Sequence, residues 1–278
     1  MSDWIEIKAV LSALPEDWSP FADAFEAFGC PSSQQLDNPP TISGYLANLP
    51  EGREQAGRLA ERLRDLGAIS VVLEDVPDQD WNAIWRDHFK PRKVGARVVL
   101  VPTWETYRSA EGDLVVTLDP GQAFGTGDHP TTRLCLELMQ QLDLEGQSVL
   151  DVGCGSGVLS IAAKMLGAGR VLGSDIDPLS VEISRENATL NQVELEFLAG
   201  DGFVGDDQWD VVLSNIISAT LIRLAGSASE SVRPGGVWIV SGIIEANWPG
   251  VQEAAERVGF TLETQLLEDG WVGATFRR

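Results

Sequence analysis

Val149-Leu150-Asp151-Val152-Gly153-Cys154-Gly155-Ser156-Gly157 reads as a buried strand emptying into a glycine turn and then a helix. The alternate glycines allow positive φ and a close approach of backbone to a ligand. Val158 to Leu166 continues as an apolar-faced helix whose N-terminus points at the turn. Roughly twenty residues on, Val171-Leu172-Gly173-Ser174-Asp175 reads as a second strand ending in an acid, where a ribose diol would meet a carboxylate acceptor. The succession predicts a nucleotide-type cofactor site.

The spacing decides between cofactors. A dinucleotide fingerprint needs G-x-G-x-x-G/A, but counting from Gly153 puts Val158 in the third slot, and counting from Gly155 puts Ser160 there. Asp151, just before the first glycine, suits a ligand carrying an ammonium or sulfonium, since a carboxylate beside a pyrophosphate would repel it. S-adenosylmethionine fits that description. A turn serving only helix–sheet packing is the structural alternative, and the acid on the next strand counts against it.

At 278 residues the chain accommodates one large domain and a small one, each with its own core. A formal charge of −22 would repel a phosphate backbone unless a basic stripe offset it, and the sequence has no such stripe; a basic partner is expected rather than nucleic acid. Cys30, Cys135 and Cys154 are widely spaced with no C-x-x-C, and Met-Ser-Asp-Trp-Ile-Glu at the start lacks a basic n-region. The cytoplasm is the expected address. No apolar run approaches a membrane span. His88 and His129 are the only histidines and neither has a ligand cluster around it, so no catalytic metal is expected.

Trp4 to Leu11 and Thr41 to Leu46 read as strands, Phe21, Phe25 and Phe28 fall on one helical face, and Glu51 to Leu66 is helical with Leu59, Leu63 and Leu66 apolar. With Ile69 to Leu73 as a strand and an extra strand near Gln35, residues 1–76 are expected to form a small βαββαβ domain. Trp81, Ile84, Trp85 and Phe89 lie at helical spacing and predict a linker helix ending before Pro91, within a linker segment 77–94. From residue 95 to 278 strands and helices alternate as in a doubly wound, mostly parallel α/β sheet. Its strands are expected at Val98–Val101, Leu114–Leu118, Val149–Asp151, Val171–Ser174, Leu195–Leu198, Val211–Ser214 and Val237–Ser241. Phe260 to Leu267 and Trp271 to Phe276 read as a hairpin at the sheet's end, adding an antiparallel C-terminal strand.

Asp119-Pro-Gly-Gln-Ala-Phe-Gly-Thr-Gly-Asp-His-Pro-Thr-Thr132 resembles the ribosomal protein L11 methyltransferase family, as do Trp81-x-x-x-Trp85, Phe89-x-Pro91, Pro102-Thr103-Trp104, the glycine turn, Asp175-Ile176-Asp177-Pro178 and Ser214-Asn215-Ile216. The resemblance covers the linker and the whole C-terminal segment, and the N-terminal segment in plan only. It implies a Rossmann-like class I S-adenosylmethionine-dependent methyltransferase domain, preceded by a ferredoxin-like recognition domain. The implied reaction is methyl transfer to amino groups of ribosomal protein L11, on lysine side chains or the N-terminal amine.

Carried over position by position, the resemblance places cofactor contacts on Thr132, Gly153, Asp175 and Asn215. The physical readings agree: Gly153 and Gly155 let the donor lie against the turn, Asp175 accepts from ribose hydroxyls, and Asp201 would accept from the adenine amine. Phe124, in its glycine-flanked loop, would lie over the cofactor. Structural alternatives exist: Thr132 as the cap of a helix from Arg133 to Leu142, Asp201 as a turn acid, Phe124 as a core anchor. Asp128 stands where many family members have another residue. Ser214-Asn215-Ile216-Ile217 lacks the Asn-Pro-Pro-aromatic arrangement of adenine-amine methyltransferases, so no aromatic in that tetrad offers a flipped base a stacking surface.

Methyl transfer from a sulfonium is an in-line displacement, so the site must chiefly hold a neutral amine on the axis of the breaking bond. Asn215 and the carbonyl of Ile216 are the expected orienting groups, and solvent is expected to take the proton. His129 reads as a loop-ordering residue with a proton-acceptor alternative. Two competing functions remain: a methyltransferase for another protein lysine or a small amine, because the motifs specify the donor and not the acceptor, and a module that binds the cofactor without turnover.

Overall fold

The computed structural model describes residues 4–15, 18–30, 33–37, 39–76, 90–119, 129–200, 202–203 and 207–278. Contacts divide the chain into two units, Met1–His88 and Phe89–Arg278. The expected linker helix over Trp81 to Phe89 lies outside the described residues. The linker segment expected over 77–94 needs correction at its end, because Arg92–Val94 is a strand that pairs with Val98–Leu100.

The first unit runs β1 (Trp4–Val10), α1 (Ser19–Ala27), β2 (Ser33–Asp37), β3 (Pro40–Ala47), α2 (Pro50–Asp65) and β4 (Ser70–Val76). The strands form an antiparallel sheet in the order β2-β3-β1-β4. Alternation along β1 sends Ile5, Ile7 and Ala9 into a core with Phe25, Leu59 and Leu63, as the period of a half-buried strand requires. The strand expected near Gln35 is present as β2, and Phe28 and Leu66 pack at the edge of this core.

The second unit holds β5 (Arg92–Val94), β6 (Val98–Pro102), β7 (Leu114–Leu118), α3 (Pro130–Met139), β8 (Ser148–Val152), α4 (Val158–Met165), β9 (Arg170–Asp175), α5 (Pro178–Leu190), β10 (Glu196–Ala199), β11 (Trp209–Asn215), α6 (Ser218–Ser231), β12 (Val232–Ile244), α7 (Trp248–Arg257), β13 (Thr261–Glu268) and β14 (Trp271–Arg277). Seven strands form one sheet in the order β10-β9-β8-β11-β12-β14-β13. β8 to β12 run parallel and β14 is antiparallel to both neighbours. Alternate strand residues feed two cores: Val149, Val171 and Val211 pack with α3, α4 and α5, while Leu150, Leu172 and Val212 pack with α6 and α7.

One expectation changes. β6 and β7 do not join the main sheet but form a separate three-stranded sheet with β5, whose Val98, Leu100 and Val116 pack on the helices of the first core. Apolar alternation marks a strand without naming its partner, which is why the pairing was not readable. The C-terminal hairpin stands at the sheet's end, as expected, with β14 lying antiparallel between β12 and β13. Composition explains the choice: β14 buries Val272, Ala274 and Phe276 and has glycine at 273, where a Cβ would stand 2.7 Å from Leu134 Cβ on α3. β13, half-buried on alternate residues and exposed on the others, takes the edge.

Candidate active site

The strand order reverses on either side of β8, so the carboxyl ends of β9, β8 and β11 open onto one crevice, the position at which doubly wound sheets bind ligands. A cavity of about 660 Å³ lies there. Its walls include Gly153, Gly155, Asp175, Asn215, Ile216 and Trp271.

The glycine turn forms its floor. Gly153, Gly155 and Gly157 have φ of 76°, 54° and 78°. The N–H groups of Gly153 and Cys154 both donate to the Ser174 carbonyl, at 2.8 and 3.0 Å, so β9 holds the turn down. From the other side α5 grips it: Ser184 Oγ donates to Gly155 O at 2.8 Å and Asn187 Nδ2 to Ser156 O at 2.9 Å. A Cβ on Gly153 would come within 2.5 Å of Ile216 Cγ2. The ligand-facing surface at this point is therefore bare backbone by necessity.

Asp175 ends β9 and lines the cavity. Its Oδ2 accepts from Gly155 N–H at 2.9 Å and its Oδ1 from Asp177 N–H at 3.0 Å. One bond on each oxygen orients the carboxylate and leaves further lone pairs on both for a pair of hydroxyls.

Asp151 does not stand where the sequence suggested. It is fully buried beneath the turn, is absent from the cavity wall, and accepts through Oδ2 from Ser160 N–H at 3.1 Å and Ser160 Oγ at 2.6 Å. It clips β8 to the first turn of α4. Burial raises its pKa to about 6 against the pull of the Ser160 hydrogen bonds, and Oδ1 has no protein partner.

Asn215 ends β11 and lines the cavity. Its Nδ2 donates to Thr132 Oγ1 at 3.4 Å, while its buried Oδ1 has no hydrogen-bond partner. Thr132 itself is wholly buried in the first turn of α3 and reaches the site through Asn215. It does not cap the helix; His129 does, accepting from Thr131 N–H through Nδ1, which also lies 2.8 Å from Thr131 Oγ1. Nδ1 is thus engaged within the helix cap. The His129 ring stands edge-on to Trp271 with centroids 4.7 Å apart, and both rings line the cavity. The loop-ordering reading of His129 fits this arrangement.

The Ile216 carbonyl faces Gly242, whose φ is 83° and where a Cβ would stand 2.4 Å from that oxygen. Glycine at 242 leaves the space beside the carbonyl unfilled. Phe124, Asp128 and Asp201 lie outside the described residues, although Gly200 and Gly202 both line the cavity. Sequence reasoning missed Trp271, Gly242 and Ile176. Trp271 and Gly242 carry no local motif and arrive from the hairpin and from β12; Ile176 had a signal in its place directly after Asp175. Ile176 is 76% exposed, apolar surface beside the Asp175 carboxylate.

The volume falls within the usual range of ligand pockets, about 300–1,000 Å³. The glycine floor, the oriented acid and the apolar wall beside it suit the methionine, ribose and adenine parts of S-adenosylmethionine. Among the described residues no group of three or more His, Cys, Asp or Glu is placed to hold a metal ion, and no helix is long and apolar enough to cross a membrane.

The profile of the ribosomal protein L11 methyltransferase (PrmA) family matches residues 12–278. A ribosomal protein L11 methyltransferase of Herpetosiphon aurantiacus is 38% identical over 273 residues, covering 88% of this chain and 85% of that protein. One of Geobacter metallireducens is 45% identical over 249 residues, covering 86% and 83%. The crystal structure of a ribosomal protein L11 methylase from Lactobacillus delbrueckii subsp. bulgaricus superimposes with a TM-score of 0.65 at 28% identity, over 69% of this chain and 98% of that one. The mixed seven-stranded sheet is accordingly the Rossmann-like α/β fold of class I methyltransferases, and the cofactor is S-adenosylmethionine. The chain belongs to the ribosomal protein L11 methyltransferase family.

Proposed function

We propose that this chain transfers methyl groups from S-adenosylmethionine to amino groups of ribosomal protein L11, on lysine side chains or the N-terminal amine. The observation that carries the acceptor chemistry is Asn215 Oδ1, a buried hydrogen-bond acceptor without a protein partner in the wall of the cavity. An amine N–H satisfies it, and burying it unmade would cost about 1–3 kcal/mol.

S-adenosylmethionine supplies an electrophilic methyl group on a sulfonium. Asp175 on β9 takes the ribose, Gly153 and Gly155 in the turn after β8 carry the methionine portion, and Asp201, between Gly200 and Gly202, takes the adenine amine, with Phe124 over the donor. Asn215 on β11 stands two strands from Asp175, about 10 Å away by strand spacing. That separation spans the donor from ribose to acceptor. Asn215 Oδ1 accepts one amine hydrogen and the Ile216 carbonyl a second, leaving the nitrogen lone pair directed at the methyl. Thr132 Oγ1, at 3.4 Å from Nδ2, fixes which end of the amide faces the amine. A lysine amine, ordinarily near pKa 10.4, must enter neutral, and solvent takes its proton because His129 Nδ1 is held by the helix cap.

The first unit is read as a ferredoxin-like recognition domain for the client, supported by its βαββαβ order. The net charge of −22 favours a basic protein client over nucleic acid, and three unpaired buried cysteines agree with a cytoplasmic address. Incubating the protein with methyl-labelled donor and recombinant ribosomal protein L11, then mapping the label by mass spectrometry, tests the reading. Label on amines of L11 supports it, and donor binding without transfer to L11 refutes it. Starting the chain near Asp78 should spare donor binding and abolish transfer to L11; unaltered transfer would remove the recognition role from the first unit.

A further inference from the structure

The acceptor end of the cavity depends on a side-chain pair that touches neither donor nor cavity. His129 and Arg133 are four residues apart, at the cap and on the first turns of α3, and so share one helix face. Glu268 and Trp271 are direct cross-strand partners on either side of a two-residue turn, Asp269-Gly270, and so share one hairpin face. Positive φ at both turn residues, 50° and 78°, makes this the tight turn that holds two strands in a single register. The two faces meet pairwise. The His129 ring packs on Trp271, and Arg133 Nε and a terminal guanidinium nitrogen both donate to Glu268 Oε1, at 2.9 and 2.7 Å, with Asp269 at 3.9 Å.

We propose that the Arg133–Glu268 ion pair is a positioning element that sets the His129–Trp271 wall and thereby fixes where the acceptor amine lies. The Arg133 side chain is only 10% exposed, so its charge is held in one place and not spread through solvent. Rotation of the hairpin tip about its turn would move Glu268 and Trp271 together, and the ion pair blocks that rotation. Asp175 and the glycine turn, gripped by β9 and α5, have no contact with this latch and keep the donor in place without it.

The proposal rests on the reading that the Asn215–Trp271 end receives the amine, and the test separates the two. Glu268→Ala and Glu268→Gln are prepared in the full chain. The indole N–H resonance of Trp271, assigned by its loss in Trp271→Phe, reports whether the ring has moved. Calorimetry gives the donor Kd, and steady-state assays with ribosomal protein L11 give KM and kcat. Expected are a shifted Trp271 resonance, a donor Kd within about twofold of the parent, and an acceptor KM raised about tenfold in Glu268→Ala, with Glu268→Gln intermediate because its amide oxygen still accepts from Arg133. An unmoved resonance in the folded Glu268→Ala protein overturns the latch itself. A moved resonance with unchanged KM and kcat overturns the proposal through the acceptor reading beneath it. Loss of donor affinity of the same size as the KM change also overturns it, because the pair would then hold the whole cavity.

Discussion

The two ends of the cavity are built from different material. At the β8–β9 end the surface is chiefly backbone and the Asp175 carboxylate, already bonded: Gly153 and Cys154 to Ser174, Gly155 to Asp175, Ser184 to Gly155. At the β11 end the surface is side chains, Asn215, Ile216, His129 and Trp271, and among the described residues Asn215 Oδ1 is the buried side-chain acceptor there that has no hydrogen-bond partner. A donor shared by every turnover suits a floor fixed by the fold. An acceptor that arrives as part of another protein suits a wall whose side chains complete their bonding only when it is present. The difference teaches that the donor end should fail through backbone strain and the acceptor end through lost orientation.

The largest expected effect is at the floor. Gly153→Ala places a Cβ 2.5 Å from Ile216 Cγ2 at a φ of 76°, and should lower stability by about 2–4 kcal/mol while abolishing measurable donor binding. Chemical denaturation and calorimetry check it. Wild-type donor affinity in a stable Gly153→Ala protein would break the distinction at its root.

Asp151 sharpens it. The folded-state pKa of about 6 lies above the ordinary carboxyl value of 3.8, so the native state holds the proton more tightly than the unfolded chain. Ionising Asp151 therefore removes stability as pH rises from about 4 to about 6, and the loss is complete above that range. Asp151→Asn lacks this loss, and should gain on the parent by about 2–3 kcal/mol between pH 4 and pH 7, whatever its constant offset. Parallel denaturation curves across that range would show it, and a pH-independent difference would mean that Asp151 stays ionised in the fold.

Asp175→Ala should weaken donor binding by about 1.5–3 kcal/mol, roughly ten- to a hundredfold, because hydrogen bonds to a charged acceptor are lost. An unchanged Kd in the folded variant would take the ribose away from Asp175 and leave the donor end without its one side-chain anchor.

The donor end was readable because its parts are consecutive. A β-strand, three alternate glycines, a helix and a strand-terminal acid fall within the 27 residues from Val149 to Asp175 and carry their geometry in their order. Asn215 was reachable through its motif. Trp271 was not, since it comes from a hairpin, 96 residues beyond Asp175, and enters the wall only because β14 inserts between β12 and β13. Asp151 misled for a related reason: its position in the motif is the same whether its carboxylate faces the ligand or the helix behind it, and only the Ser160 contact distinguishes them. The separate β5–β6–β7 sheet was hidden because strand periodicity names a face and not a neighbour.

The distinction between the two ends stands or falls on Asn215→Ala. Donor Kd measured by calorimetry and kcat measured on ribosomal protein L11 at saturating donor, on the same preparation, address it together. The account predicts a donor Kd within about twofold of the parent and a kcat lower by about tenfold or more, the signature of an interaction made to the acceptor. A donor Kd weakened by that factor, with kcat at saturation unchanged, would contradict it and move Asn215 to the donor's side of the cavity.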